Sequence, residues 1–395
     1  MEKLNQILNN FVAVGDDTKE KVLGASFIVS TKDGILYQGA AGRIGIAVES
    51  PLFSSESSGW IASLTKIVTA TSLMQIVEGG LIQLDDDVRS LVPELANAQI
   101  LRGFDDDDKP ILESNVSPIT LRQLLCHTSG MGYDAVHPDL QKWSRATGRT
   151  AGTLDQTREG WNTPLRFLPG ESWQYGSSID WAGQVLEKVT GQSLGEYMLD
   201  NIFKPLGMSD TTFRRQKTAE KFAGRIIECT YRNPGGTLTP GPLPVSEDPL
   251  LDSGGSGLFS TAQDYGRFLQ AVLAAGDGQS TLLRKETVDE MFRPQLNEAH
   301  SQILQKSLRD IVPFPGDTPM NHGISGVINT VDVEGKRKKG TLTWGGMSNT
   351  QWWIDREAGI AAVLFVNLLT PYDESVTKLY SELEQVVYGD LPPSS

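Results

Sequence analysis

The chain has 395 residues, 39% hydrophobic and 21% charged, with a formal net charge of −14. That length exceeds what one simple core usually holds and predicts two lobes of an ordinary globular protein. The acidic balance argues against nucleic acid and anionic membrane surfaces as partners. The chain has only two cysteines, Cys126 and Cys229, and they lie far apart, which fits a reduced, cytoplasmic compartment better than a disulfide scaffold. There is no secretion-type apolar segment and no apolar run of membrane-spanning length, so no membrane association is expected. The four histidines, His127, His137, His300 and His322, lack metal-ligand spacing, and no metal or other cofactor is expected. Nothing in the composition bears on oligomeric state.

Residues 3–14 place Leu4, Ile7, Leu8, Phe11 and Val12 on one side of an amphipathic helix. Residues 25–40 read as two strands joined at Lys32-Asp33-Gly34, a good hairpin signal, although two strands alone would be marginal. After a serine-rich loop, the pattern from Ser63 onward is helical. Ile67, Val68, Leu73, Met74, Ile76 and Val77 have few polar interruptions between them. That helix is expected to be buried on most sides, with Gly79 and Gly80 as its stop.

From about 81 to 240 the texture changes to short helices and long loops. Ser117 or Thr120 caps a short helix that runs into His127-Thr-Ser-Gly-Met-Gly-Tyr133. Further helices are predicted over 179–190 and 193–202. The run Asp105-Asp-Asp-Asp-Lys109 reads as a solvated loop, since a calcium loop needs spaced ligands and a glycine absent here. The glycine loop Gly254-Gly-Ser-Gly257 could let a ligand approach the backbone closely, and Ser260 or Thr261 caps the helix after it. Strand signals return at 324–333, 340–343, 351–355 and 360–367, and a last helix covers 375–388. Two N-terminal strands and about three C-terminal ones then share one sheet. The expected fold is α/β of the α+β type: an antiparallel sheet flanked by the terminal helices (1–80 and 241–395), with a mostly helical insertion (81–240). Clefts between such lobes commonly hold catalytic sites.

Ser63 and Lys66 stand three residues apart and share a helix face. Near a first helical turn, unpaired N–H groups favour negative charge developing on the serine oxygen. A buried lysine loses hydration, which lowers its pKa and lets it act as a base. Roughly one Ser-x-x-Lys is expected by chance at this composition, and a second, Ser375-Val-Thr-Lys378, lies in the last helix. The pair alone therefore decides nothing. The alternative elbow, Gly-x-Ser-x-Gly, does not occur, and Gly254-Gly-Ser-Gly257 misses its register. His127 is a poor triad base: it and the serine two residues on cannot easily present both groups to one acyl carbon. It is expected to hydrogen-bond its own loop.

Three separated segments, Ser63-Leu-Thr-Lys66, Tyr175-Gly-Ser177 and Trp344-Gly-Gly346, resemble in order and spacing the serine β-lactamase-like hydrolases related to class C β-lactamases and DD-peptidases. The Trp-Gly-Gly form looks like that of family VIII carboxylesterases and fungal statin acyltransferases. Supporting stretches are Leu124 to Gly130, Pro169 to Tyr175 and Gly254 to Tyr265. The resemblance implies that Ser63 attacks an acyl carbonyl, that Lys66 is the base or proton relay, and that Tyr175 shares the proton network. By the same resemblance the backbone N–H groups of Ser63 and Met347 form the oxyanion hole.

The departures bear on substrate. Lactam-directed relatives carry Lys-Thr-Gly where this chain has Trp344, Gly345 and Gly346; an indole removes charge pairing and adds a flat apolar wall. Tyr175-Gly-Ser177 replaces Tyr-x-Asn and weakens an amide contact typical of lactam binding. Trp60 and Tyr133 could join Trp344 and Tyr175 in an aromatic-lined pocket for a decalin-type polyketide. The resemblance thus implies a serine carboxylesterase acting on a small-molecule hydrophobic ester, with the 2-methylbutyryl side chain of lovastatin, released to leave monacolin J, as the expected substrate. The alternatives are an acyltransferase of the same fold using a thioester donor and, further off, a β-lactamase or DD-peptidase.

Overall fold

The computed structural model describes residues 1–309, 318–366 and 368–390. Helix α1 (Glu2–Phe11) buries Leu4 and Leu8. It ends before the expected residue 14, because Val12 turns extended to bridge Val22 ahead of a turn at Gly15. Strands β1 (Gly24–Thr31) and β2 (Gly34–Gly42) form the expected hairpin, with Thr31 opposite Gly34. Strand β3 (Ser58–Trp60) then feeds a tight turn, Ala62–Leu64, and helix α2 (Thr65–Glu78). As its pattern predicts, α2 is buried on most sides.

Residues 81–240 are not purely helical. Strand β4 (Gln99–Phe104) pairs with β5 (Pro110–Ser114), and the Asp105 run is the exposed turn between them. Helix α3 (Ser178–Thr190) follows, and then a second small pair, β6 (Thr230–Arg232) with β7 (Leu238–Pro240). Strand β8 (Phe259–Thr261) pairs back with β3, and the Thr261 hydroxyl caps helix α4 (Ala262–Gly276) by accepting from Asp264 N at 3.1 Å. Five strands follow: β9 (Met320–Gly323), β10 (Gly326–Asn329), β11 (Leu342–Gly345), β12 (Gln351–Asp355) and β13 (Ile360–Phe365). Helix α5 (Glu374–Asp390) ends the described chain.

Among the described residues these strands make a seven-stranded antiparallel sheet in the order β2-β1-β13-β12-β11-β10-β9. The sheet is two strands wider than expected. The apolar run beginning at Ile324 conceals a turn, with Ser325 at φ +67°, and residues 320–323, Met-Asn-His-Gly, form a strand that no alternation announces. Asn367, the last residue of the strand expected at 360–367, lies outside the described residues.

Alternation along the central strands sends side chains into two cores. Phe27, Val29, Trp353, Ala362 and Leu364 meet Leu8 of α1 and Leu379, Tyr380 and Leu383 of α5. On the opposite face Ile28, Trp352, Ile354, Val363 and Phe365 join a larger core with α2, α3 and α4. Each buried Val, Leu, Ile or Phe side chain among these contributes about 1.5–3 kcal/mol. Both terminal helices therefore cover one face, which leaves the other for α2 and the turn before it. No described helix is long and apolar enough to cross a membrane.

Candidate active site

The turn ahead of α2 is held from several sides. Ala62 adopts φ +45°, a region that non-glycine residues rarely enter, immediately before Ser63. Ile61 N donates to Leu258 O at 3.0 Å, the Thr65 hydroxyl donates to Ala62 O at 2.7 Å, and Tyr265 OH of α4 donates to Leu64 O at 2.9 Å. The end of β11 packs against the same turn. A Cβ on Gly346 would lie 2.7 Å from Ile61 O, so only glycine allows this approach, and Met347 follows directly.

Ser63 is partly exposed, whereas Lys66, one turn on, is 1% exposed. Lys66 Nζ has three oxygen partners, matching its three donor positions: Ser63 Oγ at 3.1 Å, Tyr133 OH at 3.0 Å and Gly255 O at 2.7 Å. Tyr175 OH donates to Ser63 Oγ at 2.7 Å and accepts from Trp344 Nε1 at 3.3 Å. The ammonium also lies 4.8 Å from the centre of the Tyr175 ring. Ser63, Lys66 and Tyr175, the three residues expected to act together, thus meet around one oxygen, Ser63 Oγ.

Tyr175 is positioned by the loop that precedes it in sequence. A Cβ on Gly176 would fall 2.3 Å from Met131 O, so the two segments lie backbone against backbone. Gln174 N donates to His127 O at 2.9 Å, and Ser129 Oγ and Ser178 Oγ are 2.9 Å apart. His127, at φ +59°, sets its ring 4.9 Å from that of Tyr175 and 5.7 Å from that of His322. Its Nδ1 has no hydrogen-bond partner among the described residues, and the ring packs edge-on against Tyr175 and His322. Burial lowers both histidines, His322 to about 4, and His127 well below its usual range with the neighbouring His322 and Lys66 adding to the effect. Both are neutral near pH 7. Burial, then the nearby Tyr175 and Asp180, hold the Tyr133 hydroxyl well above its ordinary value.

Two residues take places other than those expected. Trp60 is 2% exposed within a cluster formed with Phe259, Val245 and Leu369, and its Nε1 donates to Ser256 O at 2.5 Å. It supports the site from behind and is not an exposed pocket wall. Tyr133 points its hydroxyl at Lys66, which places it in the proton network. Trp344 is 8% exposed and is a hydrogen-bond donor to Tyr175 as well as an apolar surface. Ser177 is turned away, its hydroxyl donating to Trp161 O at 3.3 Å. The glycines at 254 and 255 admit neighbouring helices: a Cβ on Gly254 would meet Ile179 O at 2.8 Å, and one on Gly255 would meet Asp180 Oδ2 at 2.3 Å. The second Ser-x-x-Lys lies at the surface, with Lys378 facing Glu382 and Phe11. Among the described residues no three His, Cys, Asp or Glu side chains gather as a metal group.

A serine oxygen between a tyrosine hydroxyl and a buried ammonium, beside the end of β11 at Gly346, is suited to acyl transfer through a covalent ester. The profile of the Beta-lactamase family matches residues 4–386. The chain belongs to that family. Within the Beta-lactamase family it is 34% identical to the lovastatin esterase of Penicillium rubens over 342 residues, 84% of each chain. It is also 34% identical to the monacolin J acid methylbutanoyltransferase of Aspergillus terreus over 340 residues, 83% of this chain and 81% of that one. A solved structure of a simvastatin synthase (LovD) mutant from Aspergillus terreus matches with a TM-score of 0.87 at 31% identity, covering 98% of this chain and 94% of that one. The expected fold and class both hold: this is a β-lactamase-fold enzyme of the serine hydrolase and acyltransferase group.

Sequence reasoning missed the role of the Tyr133 hydroxyl and the whole Asp180 side of the site. The available signals were a tyrosine closing the His-Thr-Ser-Gly loop and the glycine pair at 254 and 255, read there as room for a ligand.

Proposed function

We propose that this enzyme is a serine carboxylesterase in which Ser63 is the nucleophile, Lys66 and Tyr175 move its proton, and the N–H groups of Ser63 and Met347 stabilise the oxyanion. The observation that carries the reading is the position of Ser63 Oγ, 2.7 Å from Tyr175 OH and 3.1 Å from Lys66 Nζ. Once Lys66 has shed one proton and stands as the neutral amine, the Ser63 proton passes into the Lys66–Tyr175 pair as Oγ bonds to the acyl carbon. The tetrahedral intermediate then collapses, breaking the ester C–O bond, and the leaving alkoxide takes a proton from the same pair. Water repeats the sequence on acyl-Ser63 and releases the acid. Ser63 and Lys66 come from residues 1–80, Tyr133 and Tyr175 from 81–240, and Trp344 and Met347 from 241–395, which supports a two-part organisation with the site between the parts.

The substrate we infer is a small hydrophobic ester, with the 2-methylbutyryl ester of lovastatin as the specific candidate. Trp344 offers an indole where lactam-directed relatives offer an ammonium, so a neutral acyl group is favoured over a carboxylated one. The names of the two relatives point to the statin side chain. Equal identity to an esterase and to a transferase keeps a second reading, acyl transfer from a thioester to a polyketide alcohol. Both pass through the same acyl-serine and differ in the acceptor.

The deciding experiment incubates the enzyme with lovastatin, then with monacolin J and an acyl thioester, and follows both products. Release of 2-methylbutyrate with monacolin J is expected, and net transfer with little hydrolysis would replace esterase by transferase. Ser63→Ala should remove at least about 10³-fold of turnover while the fold is retained. Unchanged turnover would defeat the assignment.

A further inference from the structure

We propose that Asp180 is the counter-charge and positioning residue of Lys66, acting across the Ser253–Ser256 loop without touching the lysine. The inference rests on the reading of Ser63 and Lys66 as the catalytic pair. Lys66 is buried, yet its three hydrogen-bond partners are neutral oxygens. An ammonium so enclosed needs a compensating charge nearby. Asp180, in the first turn of α3, is 1% exposed. Its Oδ1 accepts from Ser253 Oγ at 2.5 Å and from Gly255 N at 3.0 Å.

The two charges are joined by a directed chain. Lys66 Nζ donates to Gly255 O at 2.7 Å, and the N–H of the same peptide group, on Ser256, donates to Ser253 Oγ at 3.1 Å. Ser253 Oγ in turn donates to Asp180. Every donor points the same way, from ammonium to carboxylate, so each bond polarises the next. The glycines make the bridge possible: a Cβ on Gly255 would collide with Asp180 Oδ2, and Gly254 is pressed between Ile179 and Thr69, whose hydroxyl donates to Gly254 O at 2.8 Å. Burial pushes the Asp180 carboxyl up, while Lys66, Ser253 and the Gly255 N–H pull it back. The other ionisable groups facing Lys66 are Tyr133 and Tyr175, with His127 beyond them held neutral by burial.

The test compares pH profiles of kcat and kcat/KM for wild type, Asp180→Asn and Ser253→Ala on a p-nitrophenyl acyl ester, with Ser63→Ala as the blank. Removing a nearby negative charge disfavours a protonated amine. In Asp180→Asn the limb that involves Lys66 should therefore move about one pH unit or more to lower pH, with kcat down about 10-fold and KM within about 3-fold. Ser253→Ala, which keeps the charge and breaks the chain, should shift the limb the same way by less; it also serves if the first variant does not fold. Limbs that superimpose on wild type in the variants that fold would overturn the proposal, because a merely structural role lowers activity evenly across pH. Wild-type turnover that survives in Ser63→Ala would overturn the catalytic reading, and the proposal with it.

Discussion

Trp344 Nε1 donates a hydrogen bond to the Tyr175 hydroxyl at 3.3 Å, and that hydroxyl in turn donates to Ser63 Oγ at 2.7 Å. The residue that distinguishes this site from lactam-directed ones therefore also contacts its proton network. Trp344→Phe keeps an apolar ring and removes the donor. A single hydrogen bond contributes about 0.5–1.5 kcal/mol, so kcat should fall about 3- to 10-fold with KM little changed. Steady-state kinetics on one aryl ester measure this. A change confined to KM would mean that the indole serves substrate binding alone.

Acid should weaken the fold through the buried histidine pair. An unfolded histidine titrates near 6.5, whereas burial lowers His322 in the folded chain to about 4 and holds His127 well below 6.5. Below pH 6.5 the unfolded state binds protons that the native state does not, so stability falls as pH drops from about 6.5 toward 4 and is unaffected by these groups above that window. For His322 alone the loss is on the order of 2–3 kcal/mol at the lower limit. Calorimetric Tm between pH 7.5 and 4.5 should show the decline, and His322→Gln should flatten it. An equal slope in both proteins would assign the acid lability elsewhere.

Gly176 lets the tyrosine segment lie directly on residues 131–132. In Gly176→Ala the added methyl would start 2.3 Å from Met131 O and 2.6 Å from Gly132 Cα, both backbone atoms. Separation of the segments is expected to cost about 1–3 kcal/mol and to move Tyr175 away from Ser63. Urea denaturation and kcat should fall together in this variant. Intact kcat would show that Tyr175 need not hold its present position.

The loop leading to β11 is clamped by a buried ion pair. Arg337, 0% exposed, donates through Nε to Glu384 Oε1 at 2.5 Å and through Nη2 to Tyr380 OH at 2.7 Å. Glu384→Ala removes the buried carboxylate that faces this guanidinium and should cost about 3–5 kcal/mol. Asp289→Ala, which removes the half-exposed partner of Lys285 and Arg356, should cost under about 1 kcal/mol. Urea midpoints compare the two directly, and equal losses would contradict the burial argument.

Local pattern was enough for the parts of this protein whose periodicity is written in neighbouring residues. The terminal helices, the hairpin at Lys32–Gly34, the buried α2 and the order of the three motifs were all legible, because side-chain spacing along a few turns or pleats decides which face is apolar. Where several turns and the far side of a contact had to be known, the pattern ran out. The run from Ile324 looks like one strand because a single left-handed serine leaves no hydrophobic mark, and β9, Met-Asn-His-Gly, has no apolar alternation.

The site shows the same division. Residues three apart on a helix announce their own proximity, so Ser63 and Lys66 could be paired from sequence. Tyr175 lies 112 positions from Ser63, and Gly255 lies 189 from Lys66; their meeting depends on how the sheet and the 81–240 segment pack. Packing also buried Trp60, aimed the Tyr133 hydroxyl at Lys66, and used the glycine pair to let α3 approach α2. Direction and depth of a side chain are properties of its neighbours in space, and those neighbours are set by the tertiary fold.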